Sequence, residues 1–160
     1  MRYLFSRSIV MKIIGCLLLL VSGTSLVHLH GAATPPHRVF DEFGLICWEY
    51  EKARLDNFAV RLQTSPDYIG NIIVYDGRRA CRGEAIARAI RAKKYLVEFR
   101  KVDPNQVMWR FGGYKGELSV TLEDVPRGYP EYPASPTVSP NDVVFVGNCR
   151  TSVRSMRCPK

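Results

Sequence analysis

The chain has 160 residues and a formal net charge of +8. This length excludes an array of several domains, because one domain typically takes about 100–150 residues. Without an N-terminal export segment and a proline-rich tail, roughly 90 residues remain for folding, which predicts a thin core that disulfides would support.

Residues 1–33 have the pattern of a signal peptide. A positively charged start is followed by a short apolar run centred on residues 17–21, with small residues after it. The run is short for a membrane span of about 20 residues, although an uncleaved anchor is an alternative. Cys16 invites a lipoprotein interpretation, but the apolar run continues past it, whereas a lipid-attachment cysteine should end that run. Residues 34–37 are predicted to be a linker, and Met11 is an alternative initiator to the first methionine.

Hydrophobic periodicity predicts one α/β domain at residues 38–126. Residues 38–44 alternate as a first strand does, and apolar residues recur at helical spacing over residues 48–63. A bounded, β-branched run at residues 68–75 predicts a buried central strand. A second helix is expected at residues 82–99, where small alanines on the inner stripe permit close packing on a sheet.

The second half of the domain is expected to add two strands. Residues 106–111 and 117–125 have strand character on either side of a glycine-rich loop. The predicted order is therefore β-α-β-α-β-β, and right-handed crossovers would place both helices on one face of a mixed sheet, as an α+β sandwich. Residues 127–160 are predicted to be a proline-rich, extended C-terminal tail, in which residues 142–147 are apolar enough for one added short strand.

Charge is divided between two neighbouring stretches of the domain. Acidic side chains outnumber basic ones at residues 39–77, and the reverse holds at residues 78–101. A basic block can mark the binding of an anionic partner. The alternative is that two solvated helices carry these charges and attract each other within the domain.

Export would place the mature cysteines in an oxidising compartment, which favours disulfides. The sequence has no C-x-x-C pair, and its three histidines all lie at residues 28–37, so no metal site is predicted. Cys47 and Cys81 each follow a strand, and these strands should be parallel, so we predict a bridge between them. The remaining pair, Cys149 and Cys158, would close a small loop in the tail. Unpaired, buried cysteines are the alternative.

The sequence contains no pattern of a catalytic centre. The motifs G-x-S-x-G, H-E-x-x-H and G-x-x-x-x-G-K are all absent. Histidine, the commonest general base, is missing from the predicted folded region. We therefore predict neither enzyme activity nor a cofactor.

Several short motifs occur in a characteristic order over nearly half of the chain. A helix carries LDNFA from Leu55, and a strand ends in an aspartate, IIVYD, at Asp76. An Arg-Ala helix then leads to Tyr95, followed by VDPNQV at residues 102–107 and the glycine-rich FGGYKGE at residues 111–117. In this order the segment resembles the OmpA-like, peptidoglycan-associated domain. The resemblance implies an exported protein of the periplasm or of the outer-membrane-associated cell envelope.

The resemblance also implies a ligand site. In that family an aspartate after the second strand and an arginine on the following helix hold the free carboxylate and amine of diaminopimelate in the peptidoglycan stem peptide. By position these roles would fall to Asp76 and Arg88. Two further arginines, Arg78 and Arg79, occupy the loop between them and complete the predicted site.

An independent physical consideration also favours an anion site. Arg78, Arg79 and Arg82 are predicted to crowd the start of the second helix, where the helix dipole disfavours positive charge by roughly 0.3–1 kcal/mol each. A bound carboxylate or phosphate would turn this repulsion into attraction, with free backbone N–H groups as additional donors. The alternative is that these side chains bend into water, where the penalty is small.

Two functions follow as expectations. The first is non-covalent binding of peptidoglycan, or of another anionic envelope component. The second is a degenerate OmpA-like domain that serves as a structural or protein-interaction module, with an envelope protein as partner. Nucleic-acid binding is disfavoured by export and by sparse aromatic residues among the basic ones. Membrane contact is expected only through an uncleaved signal segment.

Overall fold

The computed structural model describes residues 39–148, so the predicted signal peptide, the linker, Cys149 and Cys158 lie outside the described residues. The predicted order of elements is confirmed, with two short strands and several single turns added. Within the described part no helix is long and apolar enough to cross a membrane. In chain order the elements are β1 (Val39–Phe43), α1 (Trp48–Gln63), β2 (Tyr68–Asp76), β3 (Arg79–Arg82), α2 (Glu84–Lys94), a π-helical turn (Tyr95–Phe99), a 3-10 turn (Pro104–Gln106), β4 (Val107–Tyr114), β5 (Ser119–Pro126), a second 3-10 turn (Pro140–Asp142) and β6 (Val144–Asn148).

Four strands form one mixed sheet in the order β1-β5-β2-β4. Strand β2 runs parallel to β4 and antiparallel to β5, and β5 is antiparallel to β1. Strands β1 and β2 therefore run in the same direction, as predicted. Residues 70–76 of β2 are buried without interruption, as expected of a central strand that is covered on both faces.

Both helices pack on the same face of this sheet, which confirms the predicted arrangement. Side chains alternate along β2, so Ile72 and Val74 point to the helices while Ile73 and Tyr75 point to the opposite face. The alanines of α2 allow its backbone to approach the sheet closely. The shared core contains Leu55, Phe58, Ala59 and Leu62 of α1, Ala85, Ala89 and Ala92 of α2, Leu96, Ile72 and Val74 of β2, and Val120 and Leu122 of β5.

The second helix begins later than predicted. Strand β3 occupies Arg79–Arg82 and pairs in parallel with β6 in a separate two-stranded sheet. Helix α2 starts only at Glu84, after Gly83, whose φ of 84° suits the left-handed region that glycine tolerates. The start of the helix is therefore two residues later than predicted, because pairing of β3 with β6 holds Arg82 in an extended conformation. The predicted end is correct, since helical structure continues to Phe99.

The proline-rich segment after β5 lies against the sheet instead of extending freely. The carbonyl oxygen of Tyr132 accepts a hydrogen bond from Arg110, and the backbone N–H of Ser135 donates to the Tyr75 hydroxyl at 3.2 Å. Val138 is buried and forms a β-bridge with Tyr114. This part of the tail covers the face that the helices leave open, and β6 is the added short strand that the sequence predicted.

Gly70 of β2 lies against Leu62 and Phe58 of α1, with no room for a side chain. A Cβ atom at this position would lie 2.6 Å from Cδ1 of Leu62 and 2.9 Å from Cζ of Phe58. We expect Gly70→Ala to lower the free energy of unfolding by about 1–3 kcal/mol, which is the usual cost of overpacking a core. Urea unfolding measures the change. The matched control is Gly116→Ala, because a Cβ atom at Gly116 has no atom of the described residues within 4 Å. This control should change the free energy of unfolding by less than about 0.5 kcal/mol. Equal losses of stability in the two variants would contradict the close packing at Gly70.

Candidate ligand site at the start of the second helix

Strand β2 ends at Asp76, whose buried carboxylate reaches the first turn of α2. Its Oδ1 accepts a hydrogen bond from the backbone N–H of Ala85 at 3.2 Å. The carboxylate thereby supplies the cap that Gly83, which has no side chain, does not provide. Burial raises the pKa of Asp76 to about 6; the Ala85 hydrogen bond opposes this, the charge of Glu84 adds to it, and the charge of Arg88 lowers the pKa.

Arg88 lies one turn further along α2 and is 3% exposed. Its Nε and Nη2 both donate to the same oxygen of Glu84, at 3.1 and 2.9 Å. Its Nη1 lies 3.4 Å from Oε2 of Glu51. The structure therefore brings Asp76 and Arg88 to the same end of α2, with the arginine already held between two carboxylates.

Glu51 is the residue of this site that sequence reasoning missed, because an acid near the start of a helix is most simply a partner of the helix dipole. It is 1% exposed and pairs with Arg91 at 2.5 Å as well as with Arg88. Burial raises the pKa of Glu51, while the charges of Arg91 and Arg88 oppose this rise. A signal was present: Glu51 precedes Leu55 by four residues and Phe58 by seven, which places a charge on the buried stripe of α1.

Arg88 and Arg91, two basic residues of α2, form their ion pairs within the domain. The guanidinium carbon of Arg91 lies 4.1 Å from the centre of the Trp48 ring, in the geometry of a cation–π contact. Beyond α2, Arg100 donates to Asp56 of α1 at 2.5 Å. These contacts support the expectation that the acidic and basic stretches attract each other inside the domain.

Arg78, Arg79 and Arg82 precede the first turn of α2 in the chain. Arg79 and Arg82 belong to β3, and the first turn of the helix carries Glu84, an acid that the helix dipole favours. Arg78 and Arg79 are exposed. Arg82 lies 4.2 Å from the centre of the Phe145 ring in β6. The anion site predicted from these arginines stays a prediction.

Cys47 and Cys81 precede the two helices at corresponding positions. Cys47 is buried directly before α1, and Cys81 lies in β3. Both are disulfide-bonded. A Cβ atom built on Gly147 would lie 3.6 Å from Sγ of Cys81, so this sulfur is close to the chain just before Cys149. The pairing of Cys47 with Cys81 stays a prediction, as does the pairing in the tail.

No family model, curated protein or solved structure matches the chain. The resemblance to OmpA-like domains therefore stays a prediction that rests on the short sequence motifs between Leu55 and residue 117. Among residues 39–148 no cluster of three or more His, Cys, Asp or Glu side chains is placed to hold a metal ion.

Removal of Glu51 tests whether the two helices depend on its charge. Glu51→Ala leaves Arg88 and Arg91 without their shared carboxylate, and breaking a buried ion pair in this way typically costs about 3–5 kcal/mol. The loss is measured by urea unfolding. The control is Glu98→Ala, whose side chain is 56% exposed and pairs with Lys94 at 3.7 Å; an exposed pair of this kind contributes less than about 1 kcal/mol. A Glu51 variant no less stable than the control would contradict the buried pair.

Asp76 should make the domain less stable as pH rises from 4 to 7. A folded pKa of about 6 against an ordinary value of 3.8 means that the folded state binds the proton more tightly. The stabilisation is therefore complete below pH 4 and is lost as pH rises through 6. Asp76→Asn mimics the neutral carboxyl, so at pH 7 it should be more stable than the wild type by on the order of 1–3 kcal/mol, with no difference near pH 4.

Urea unfolding between pH 4 and pH 8 measures this effect. Asp56→Asn is the control of opposite sign, because the hydrogen bond from Arg100 lowers the pKa of Asp56. At pH 7 that variant should be less stable than the wild type. If Asp76→Asn were also less stable at pH 7, the assignment of a buried, unfavourably ionised Asp76 would be wrong.

Proposed function

We propose that this domain binds the stem peptide of peptidoglycan non-covalently, by holding an amino-acid group with one ammonium and one carboxylate between Asp76 and Arg88. The main support is the buried carboxylate of Asp76, whose pKa is raised and which feels the charge of Arg88. A ligand ammonium would compensate the ionised carboxylate, and an arginine is the side chain best suited to a ligand carboxylate. The identity of the ligand as diaminopimelate comes from the resemblance to OmpA-like domains.

The ligand carboxylate would take the place of Glu84 on Arg88. The two hydrogen bonds from Arg88 to Glu84 end on a single oxygen, Oε1, whereas the strongest arginine–carboxylate pairs use two oxygens in parallel. The Glu84 side chain is 18% exposed and can turn to water, while Glu51 is 2% exposed and remains as the structural partner. The exchange would replace two hydrogen bonds to one oxygen of Glu84 with two parallel hydrogen bonds to the two oxygens of the ligand carboxylate.

The exposed arginines and the predicted export fit the same function. Arg78 and Arg79 stand in the chain between Asp76 and α2 and raise the local concentration of anionic ligands before binding. The proposal is for a binding domain of the periplasm or outer-membrane-associated envelope, and not for an enzyme.

A second candidate is a structural or protein-interaction module without a wall ligand. It is favoured by the burial of Arg88, whose donors are already occupied. It is also favoured by large apolar side chains that α2 and the following turn expose: Ile86 is 41%, Ile90 50% and Phe99 69% exposed. Such a row fits a protein partner better than a sugar–peptide polymer.

Sedimentation with purified peptidoglycan tests the proposal. We expect the wild type to pellet, Asp76→Ala to bind at least tenfold more weakly, and Glu84→Gln to bind more tightly because it releases Arg88. Binding should also weaken below about pH 6, roughly tenfold per pH unit, as Asp76 becomes protonated. The matched control is Asp67→Ala, an exposed aspartate just before β2, which should bind as the wild type does.

The outcomes separate the two candidate functions. If neither the wild type nor Glu84→Gln pellets, peptidoglycan binding is refuted and the interaction module is favoured. If the wild type pellets but Asp76→Ala pellets equally well, binding occurs elsewhere on the protein. A double charge reversal, Arg78→Glu with Arg79→Glu, that leaves pelleting unchanged removes these two arginines from the site.

A further inference from the structure

A cavity of about 220 Å³ lies on the sheet face opposite the helices. Its walls come from strands β2, β4 and β5 and from the proline-rich segment that crosses this face. They are apolar except for two residues, Asn71 on β2 and Glu131 on the segment. The other lining side chains used below are Ile69, Met108, Val125 and Tyr129.

Asn71 is buried in the wall of this cavity without a hydrogen-bond partner. The side chain is 2% exposed, and among the described residues 39–148 neither its Nδ2 nor its Oδ1 has a hydrogen-bond partner. It lies in β2 beside the isoleucines of that strand, where an apolar residue would be expected. Burial of an amide with both its donor and its acceptor unused is costly and rare, so each such group calls for a physical reason.

The chemistry of the cavity defines what would satisfy Asn71. A carboxamide presents an acceptor and a donor side by side, so its best complement is another amide that offers the same two groups in reverse. The apolar walls formed by Ile69, Met108 and Val125 favour an apolar body on that amide. An apolar cavity of about 150 Å³ is large enough for benzene, so 220 Å³ suits one ring with a small polar group.

The charged groups around the cavity select against an anion. The exposed carboxylate of Glu131 stands at the wall, and Glu123 is the residue paired with Asn71 across β5. Arg110 on β4, two residues after Met108, is engaged by the carbonyl of Tyr132 and the carboxylate of Glu131. A neutral or cationic molecule therefore fits, and an acid does not.

We propose that this cavity binds a small uncharged molecule that joins a primary or cyclic amide to an apolar body of about one ring, and that Asn71 recognises the amide. This site is distinct from the one at Asp76 and Arg88, because Asn71 faces away from the helices. The proline-rich segment has a second role at this site, because its residues Tyr129 and Glu131 line one side of the cavity.

Benzamide is a suitable probe, with ethylbenzene as an apolar molecule of similar size. Binding to the purified protein is measured by chemical-shift titration or by calorimetry. We expect benzamide to bind at least tenfold more tightly than ethylbenzene, and benzoate not to bind. Asn71→Leu should lose this preference and bind benzamide at least tenfold more weakly. The matched control is Asn57→Leu, an exposed asparagine of α1, which should leave binding unchanged.

Two further measurements keep the result unambiguous. Asn71→Leu should have a higher melting temperature than the wild type, since it removes the unpartnered amide, and this confirms that the variant is folded. Met108→Trp fills the cavity from a side chain that is 44% exposed, so it should abolish benzamide binding while Asn71 is intact. Absence of benzamide binding to the wild type, or binding that both substitutions leave unchanged, would overturn the proposal. Neither result depends on peptidoglycan sedimentation.

Discussion

The buried carboxylate of Glu51 is the constraint on which the candidate site depends. It lies between Arg88 and Arg91, so one acid of α1 pairs with two bases of α2. Without it Arg88 would keep only Glu84 as a carboxylate partner, and Arg91 would lose the ion pair across the two helices. The charge of Arg88 also lowers the pKa of Asp76, although burial has the larger effect and raises it. The ion pairs between the two helices and the candidate ligand site therefore share Arg88.

The central strand β2 carries two polar groups that a purely structural strand would avoid. Asn71 lies on the face covered by the proline-rich segment, and Asp76 ends the strand at the start of α2. Each costs stability, one as an amide without a partner and the other as a carboxylate that burial destabilises in its charged form. Departures from an apolar pattern in a buried element are typical of functional positions. Both proposed binding sites use the strand that lies between β5 and β4 and is buried over residues 70–76.

The proline-rich segment adds a third layer to the domain, on the sheet face opposite the helices. The helices cover one face of the sheet, and residues after β5 cover the other through Tyr132, Ser135 and Val138. Prolines suit this position because the segment meets the sheet at one β-bridge, between Val138 and Tyr114, and needs few backbone donors elsewhere. The additional burial compensates for the thin core expected of so short a chain. It also encloses the cavity around Asn71, which an uncovered sheet would leave open to solvent.

The elements that could be predicted from the sequence are those whose signals are local. The helical spacing of Leu55, Phe58 and Leu62 specified α1, and the β-branched run of β2 specified the central strand, because side-chain periodicity follows from backbone geometry. Three features became visible only in the folded domain: the pairing of Glu51 with two arginines, the extended conformation of residues 79–82, and the packing of the tail on the sheet. Each of these depends on a partner distant in the chain: α2 for Glu51, β6 for β3, and Tyr75 for Ser135. The helical spacing places Glu51 on the buried stripe of α1, but it does not identify the arginines that pair with it, because partners in distant segments are set by the whole fold.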